Sequence, residues 1–324
     1  MTDKKIIAVV GATGSQGGGL ARAILDDPQG PFSLRALTRD VESPAAKELA
    51  ARGAEVVVAD LDDEASVLRA FEGAYGAYVV TNFWVQRTPE EEAARTRAQM
   101  ELDQAETAAR AAKKAGLKHV VWSTLEDTRP HFAHQGTQLP TLLEKYTVPH
   151  FDAKGEANRF FTAHGVPTTF LETTFYYEAF LQGQGVHRGA DGKLELTNPM
   201  GDAVMALVAS EDIGRTAYGI FLAGPTYIGR TVGLAGAHYT GVQLAELFAK
   251  VLGEDVVYRP QTHDEARAAG YPGAVEVGNM YQFYADAADS FVESRDLERA
   301  RRINPRLKPL EEWLREHKSE LVTD

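Results

Sequence analysis

The chain contains no cysteine, which excludes disulfides, thiolate catalysis and cysteine-ligated zinc together. It is short of positive charge: 34 Lys and Arg stand against 46 Asp and Glu, and the formal charge of −12 repels phosphate backbones. Direct nucleic-acid binding is therefore not expected. No apolar run approaches the roughly 20 residues that a membrane span needs. The opening MTDKK passes straight into a strand-like stretch without the features of a secretory leader. The expectation is a cytoplasmic enzyme or binding protein with no membrane association. With 44% apolar and 25% charged residues over 324 positions, the chain has enough apolar matter to bury a large core.

Apolar runs and helical patterns alternate through residues 1–125. IIAVV (6–10), LRAL (34–37), AEVVVAD (54–60), YGAYVVTN (75–82) and KHVVWS (118–123) have the length and composition of strands. GLARAIL (19–25), SPAAKELAARG (43–53) and EASVLRAF (64–71) have helical spacing between them. From about 89 to 115, no Pro follows Pro89 and no Gly precedes Gly116, which predicts one long helix. This alternation predicts βαβ units, hence an α/β fold with a Rossmann-type doubly wound parallel sheet and helices on both faces. Residues 126–149 are polar with three prolines and suggest a long excursion over the surface. A helix at about 152–164 and a strand at PTTFLET (167–173) then resume the pattern. Beyond about 176 the chain is less regular. The expected organisation is a Rossmann domain at 1–175, and at 176–324 mainly a smaller C-terminal α/β lobe from which some chain returns to the first domain. Ligands of such sheets sit beyond the carboxyl ends of the strands.

The most informative motif is VVGATGSQGGGLARAIL. Gly11, Gly14 and Gly17 follow a strand and open a helix, the context a dinucleotide-binding turn requires. Gly11 permits the tight turn, Gly14 lets backbone N–H groups approach a pyrophosphate, and Gly17 lets the helix pack close to the strand. Thr13, Ser15 and Gln16 complete the phosphate loop, while Gly18 and Gly19 have no separate role in this reading. At the end of the second strand, ALTRD places Thr38 and Arg39 where an acidic residue selects NAD and an Arg accepts the 2′-phosphate of NADP. A charge-assisted bond there contributes roughly 1.5–3 kcal/mol, about 10- to 100-fold in preference. The adjoining Asp40 blunts that preference. Asp60 and Leu61, after the third strand, either flank the adenine or cap the next turn.

With the glycine loop, LTRD, VVTNFW, WSTLEDT and VPHFDAKGE in place, the chain resembles the NmrA-like proteins, an atypical branch of the short-chain dehydrogenase/reductases. It is most similar to those of the NADPH-sensor type, and the likeness runs on into GYPGA and NMYQFYA. The resemblance implies NADP(H) as cofactor, held by Gly11, Thr13, Gly14, Ser15, Gln16, Gly17 and Arg39. It implies that Thr81 and Asn82 lie near the nicotinamide and that Ser123 stands at the serine of such dehydrogenases. Lys154 matches the lysine of their Tyr-x-x-x-Lys pair, which holds the nicotinamide ribose. Two departures stand out. DVESPAAK offers only Lys47 where sensor-type relatives are rich in Lys and Arg, and the tyrosine position is His150.

An imidazole can supply a proton near neutrality, so His150 is either the proton donor or a substrate-lining or structural residue. Tyr146, four residues earlier, is a possible surrogate. Ser123 either donates to a carbonyl or imine or satisfies local backbone. TTFYYEAF (173–180) follows the sixth strand, where related folds contact the carboxamide through backbone atoms, and Phe175, Tyr176 and Tyr177 are either pocket wall or core. His131 and His134 have metal-like spacing but no acidic ligand nearby, so no metal is expected. Glu90 to Glu92 suit a helix start and need no further role. Three functions follow. The first is an NADPH-dependent reductase acting on a small carbonyl, imine or activated alkene. The second is a non-catalytic NADPH sensor working through a protein partner or a homodimer. The third is a transcriptional co-regulator acting through a protein partner, as some members of the family are. The retained lysine and serine favour the reductase.

Overall fold

The computed structural model describes residues 4–323. In chain order the elements begin β1 (Lys5–Val10), α1 (Ser15–Leu25), β2 (Phe32–Thr38), α2 (Pro44–Ala51), β3 (Glu55–Val58), α3 (Glu64–Phe71) and β4 (Gly76–Val79). Next come α4 (Pro89–Ala94), α5 (Arg97–Ala115), β5 (His119–Thr124), α6 (Arg129–Gln135), α7 (Pro149–Ala163) and β6 (Thr168–Glu172). Then follow β7 (Phe175–Tyr176), β8 (Val186–Arg188), β9 (Leu194–Leu196), β10 (Met205–Val208), α8 (Ser210–Leu222), β11 (Thr231–Gly233) and β12 (Ala237–Tyr239). The chain closes with α9 (Gly241–Leu252), β13 (Val256–Tyr258), α10 (His263–Arg267), α11 (Ala274–Asp286), α12 (Ala288–Ser294), α13 (Leu297–Ile303), α14 (Leu310–Glu316) and β14 (Val322–Thr323).

These elements form two units that interleave along the chain. The first comprises Met1–Asp127, His150–Glu172 and Glu211–Val232; the second comprises Thr128–Pro149, Thr173–Ser210 and Gly233–Asp324. The first unit holds a seven-stranded sheet in the order β11-β6-β5-β4-β1-β2-β3. The ladders from β3 through to β6 are all parallel, the doubly wound α/β arrangement that the alternation predicts. β4 and β5 are buried along their whole length, whereas β3 is exposed at its ends. That contrast is what central and edge positions in a sheet covered by helices require. One face packs Val79, Trp122 and Phe161 with the small residues Ala105, Ala108 and Ala112 of α5. The second unit carries two small sheets, β12-β10-β7 and β13-β9-β8-β14. No helix among the described residues is long and apolar enough to cross a membrane.

Three local expectations are corrected. The single helix foreseen over 89–115 is two, because Arg95 is extended (φ −154°, ψ 113°). Thr88 forms a capping box with Glu91, and Thr96 then caps a second start by accepting from the Gln99 N–H. Two capping threonines eight positions apart favour restarting the helix over running through. Residues 128–149 are not a loose excursion. Within the second unit Phe132, Tyr146 and Val148 are buried, and the Asn279 amide donates to the carbonyls of Pro140 and Thr147. The helix foreseen from about 152 begins at Pro149, a residue suited to the first turn, so His150 and Lys154 are both helical.

Candidate functional site

The turn from β1 into α1 is built by exclusion of side chains. Gly11 has φ +65°, a region that other residues adopt at a cost. A Cβ on Gly17 would lie 2.3 Å from the Gly11 carbonyl oxygen and 2.8 Å from that of Val10. The helix can therefore start this close to the strand only with glycine there. Gly14 is the N-cap, extended and without a side-chain cap, and the first turn of α1 carries no acidic residue. Thr13, Gly14 and Ser15 are exposed. The result is an accessible helix start whose N–H groups suit an anion. Gly19, unassigned from sequence, also has a structural reason. Its Cβ would sit 2.1 Å from the Glu211 carbonyl oxygen, and that of Gly214 would sit 2.2 Å from the Gln16 carbonyl oxygen, so α1 and α8 cross backbone to backbone.

Past β2, Arg39 is exposed while Thr38 is tied into a turn, its hydroxyl accepting from the Asp40 N–H. Asp60 caps the turn after β3: its carboxylate accepts from the Asp62 N–H, and its own N–H donates to Ser66. Leu61 is half-buried and packs against the apolar core of the sheet. Burial pushes the Asp62 carboxyl up, yet bonds from Arg95 and Gln104 and the charges of Arg95 and Arg39 hold it below its ordinary value. Arg39 thus stands within electrostatic reach of the loop that follows β3.

The third group lies at the ends of β4 and β5 and on the first turns of α7. Lys154 Nζ donates to the Thr81 hydroxyl (2.7 Å) and the Thr81 carbonyl (3.0 Å), and lies 2.7 Å from Glu101 Oε2. Glu101 was not foreseen as a site residue. Its signal was a carboxylate placed in the apolar stripe Ala98, Ala105, Ala108 and Ala112 of α5. His150 is buried among aromatic rings, with centroids 5.0 Å from Trp84, 5.0 Å from Phe151 and 5.9 Å from Phe83. Trp84 itself is half exposed, and Asn82 is exposed with its side chain accepting from the Trp84 N–H. The Ser123 hydroxyl donates to Gln16 Oε1 at 2.7 Å, and Tyr78 donates to the same oxygen at 2.7 Å. Ser123 is therefore joined to the glycine turn through Gln16.

The remaining residues named from the sequence have the following surroundings within their own units. Tyr146 belongs to the second unit, buried under the cations of Arg129 and Lys145. Phe175 also lies there, packed on Phe180 and Tyr281. His131 sits edge-on to Phe132 and Phe283 in an aromatic cluster. Glu90, Glu91 and Glu92 occupy the first turn of α4, where Glu91 completes the capping box. Among the described residues no cluster of three or more His, Cys, Asp or Glu is placed to hold a metal.

Residues 3–314 match the NmrA-like family. An NmrA-like family domain-containing oxidoreductase, FrzB of Cladobotryum sp, is 32% identical over 298 residues, covering 86% of this chain and 83% of its own. A second, malD of Malbranchea aurantiaca, is 31% identical over 267 residues, covering 79% and 76%. Among solved structures, NmrA, a negative transcriptional regulator, superposes with a TM-score of 0.76 at 22% identity, covering 97% and 95% of the two chains. The Citrobacter sp. triphenylmethane reductase complexed with NADP(H) superposes with a TM-score of 0.69 at 21% identity, covering 96% and 99%. These structural likenesses establish the fold.

Proposed function

The chain belongs to the NmrA-like family, and from that premise we propose that it is an NADP(H)-dependent reductase. Its substrate is a small carbonyl, imine or activated alkene. The observation that carries the reading is the β1–α1 turn, where Gly11 holds a positive φ, Gly17 leaves no room for a side chain and the start of α1 lies open. A pyrophosphate fits that turn, and Arg39 beyond β2 supplies the charge for a 2′-phosphate. The adenosine half of the cofactor would extend toward Thr38, Arg39, Asp60 and Leu61. The nicotinamide half would extend toward Thr81, Asn82 and Lys154. Relatives that cover most of the chain are named oxidoreductases, and NmrA has itself been solved in complex with NADP.

In the reaction a hydride from the reduced nicotinamide adds to the electrophilic carbon and a proton goes to the attached oxygen, nitrogen or carbon. Lys154 holds the nicotinamide ribose. His150 stands where related reductases carry tyrosine and is the proton donor of this reading. A second reading is a non-catalytic NADPH sensor acting through a protein partner. It is favoured by the absence of that tyrosine and by the engagement of the Ser123 hydroxyl with Gln16. One experiment separates them: a panel of carbonyls, imines and activated alkenes, followed by loss of reduced-nicotinamide absorbance. Turnover that drops in Lys154→Ala supports the reductase. A silent panel, together with NADPH-dependent protection from limited proteolysis, replaces it with the sensor.

A further inference from the structure

Glu101 is 1% exposed, and its carboxylate takes no well-aligned hydrogen bond; its close polar neighbour is the Lys154 ammonium at 2.7 Å. Such a group is poor value as packing. Removing two charges from water costs several kcal/mol per ion, and an apolar pair of similar volume is often neutral or stabilising by comparison. The neighbouring positions of the same stripe are alanines, so an apolar side chain would continue the pattern. What the carboxylate does is geometric. A lysine on a four-carbon stem has many rotamers, and an ammonium free to follow water would swing outward. Here Nζ is drawn inward between Glu101 and the two Thr81 oxygens at the carboxyl end of β4, and it lies 5.6 Å from the centre of the Trp122 ring. The Lys154 side chain stays 12% exposed, so it is held without being wholly sealed from solvent.

We infer that Glu101 is a positioning residue for the nicotinamide half of the cofactor site, acting through Lys154 and holding it against Thr81 before the cofactor arrives. The inference rests on the cofactor reading above. It assigns binding strength to a buried side chain that touches neither cofactor nor substrate. Holding the lysine in place beforehand removes an ordering cost that binding would otherwise have to meet.

The test uses two probes, NADPH and adenosine 2′,5′-bisphosphate, which carries the adenosine half without the nicotinamide ribose. Each is titrated against the parent protein, Glu101→Gln, Lys154→Met and the double variant. Glu101→Gln is expected to raise the Kd for NADPH about tenfold, the loss of one charge-assisted contact, while the Kd for the bisphosphate stays within about twofold. In the Lys154→Met background Glu101→Gln is expected to add no further loss, because the residue it acts through is gone. An unchanged NADPH affinity in Glu101→Gln, or an equal loss in both backgrounds, overturns the inference. So does equal weakening of both probes, which is the mark of general disruption. If Glu101→Gln does not fold, the double variant, which strands no charge, is compared with Lys154→Met: equal NADPH affinity supports the role and a difference refutes it. Failure of the bisphosphate to bind the parent protein overturns the cofactor reading itself.

Discussion

In the proposed cofactor reading, Arg39 is the residue on which cofactor choice turns, because it is an exposed cation directly beyond β2. Arg39→Ala is expected to weaken NADPH by about 10- to 100-fold while leaving NADH nearly unchanged. A fluorescence titration with both cofactors checks this, and equal weakening would remove the 2′-phosphate assignment. His119 makes a different prediction. It is fully buried on β5 beside Phe221, with one ring nitrogen bonded to Thr169, and burial pushes its pKa from 6.5 down to about 4. The unfolded chain takes up this proton near pH 6.5 and the folded chain only near 4, so stability is full above 6.5 and declines as pH falls toward 4. The decline is on the order of 3 kcal/mol. Urea unfolding between pH 7.5 and 4.5 should therefore slope more steeply for the parent than for His119→Gln; parallel slopes would reject the assignment. At this scale the sequence was partly legible. Gly11, Gly17 and Arg39 announce themselves by type and spacing. Glu101 was visible only as a charge in an apolar stripe, and its partner Lys154 lies on another helix, which spacing along the chain does not reveal.

The crossing of α1 and α8 supplies an internal control. Gly18 and Gly19 are neighbours of the same type, yet a Cβ on Gly18 meets the flexible Arg22 side chain at 3.1 Å, whereas one on Gly19 meets the Glu211 backbone at 2.1 Å. Gly18→Ala should be neutral or stabilising by up to about 1 kcal/mol, since alanine favours the helix. Gly19→Ala should cost about 1–3 kcal/mol by forcing the helices apart. Thermal unfolding of the two variants measures this, and similar midpoints would contradict the crossing. Most elements of the sheet were readable because the apolar period of a strand or helix is local. The break at Arg95 was harder to see. Composition favours helix on both sides of it, and the outcome depends on whether Thr88 and Thr96 spend their hydroxyls as caps, a competition worth only about 1 kcal/mol each.

For the whole chain, a ligand that binds only the folded state must raise the unfolding midpoint. NADPH at about 100 times its Kd should add roughly 2.7 kcal/mol, and NADH at the same concentration less. Differential scanning fluorimetry checks both; no shift with either would leave the glycine turn without its ligand. The sequence by itself determined the class of fold and the place of the glycine turn, because glycine's freedom of φ and the alternation of apolar periods act over a few residues. It also excluded cysteine chemistry outright. The tertiary structure alone decided that residues 128–149 join the second unit, that Gly19 serves a helix crossing, that Ser123 is bonded to Gln16, and that a buried carboxylate holds Lys154. Each of these joins residues far apart in the chain. Their energies depend on burial and on distances of a few ångströms, quantities that exist only once the chain has folded.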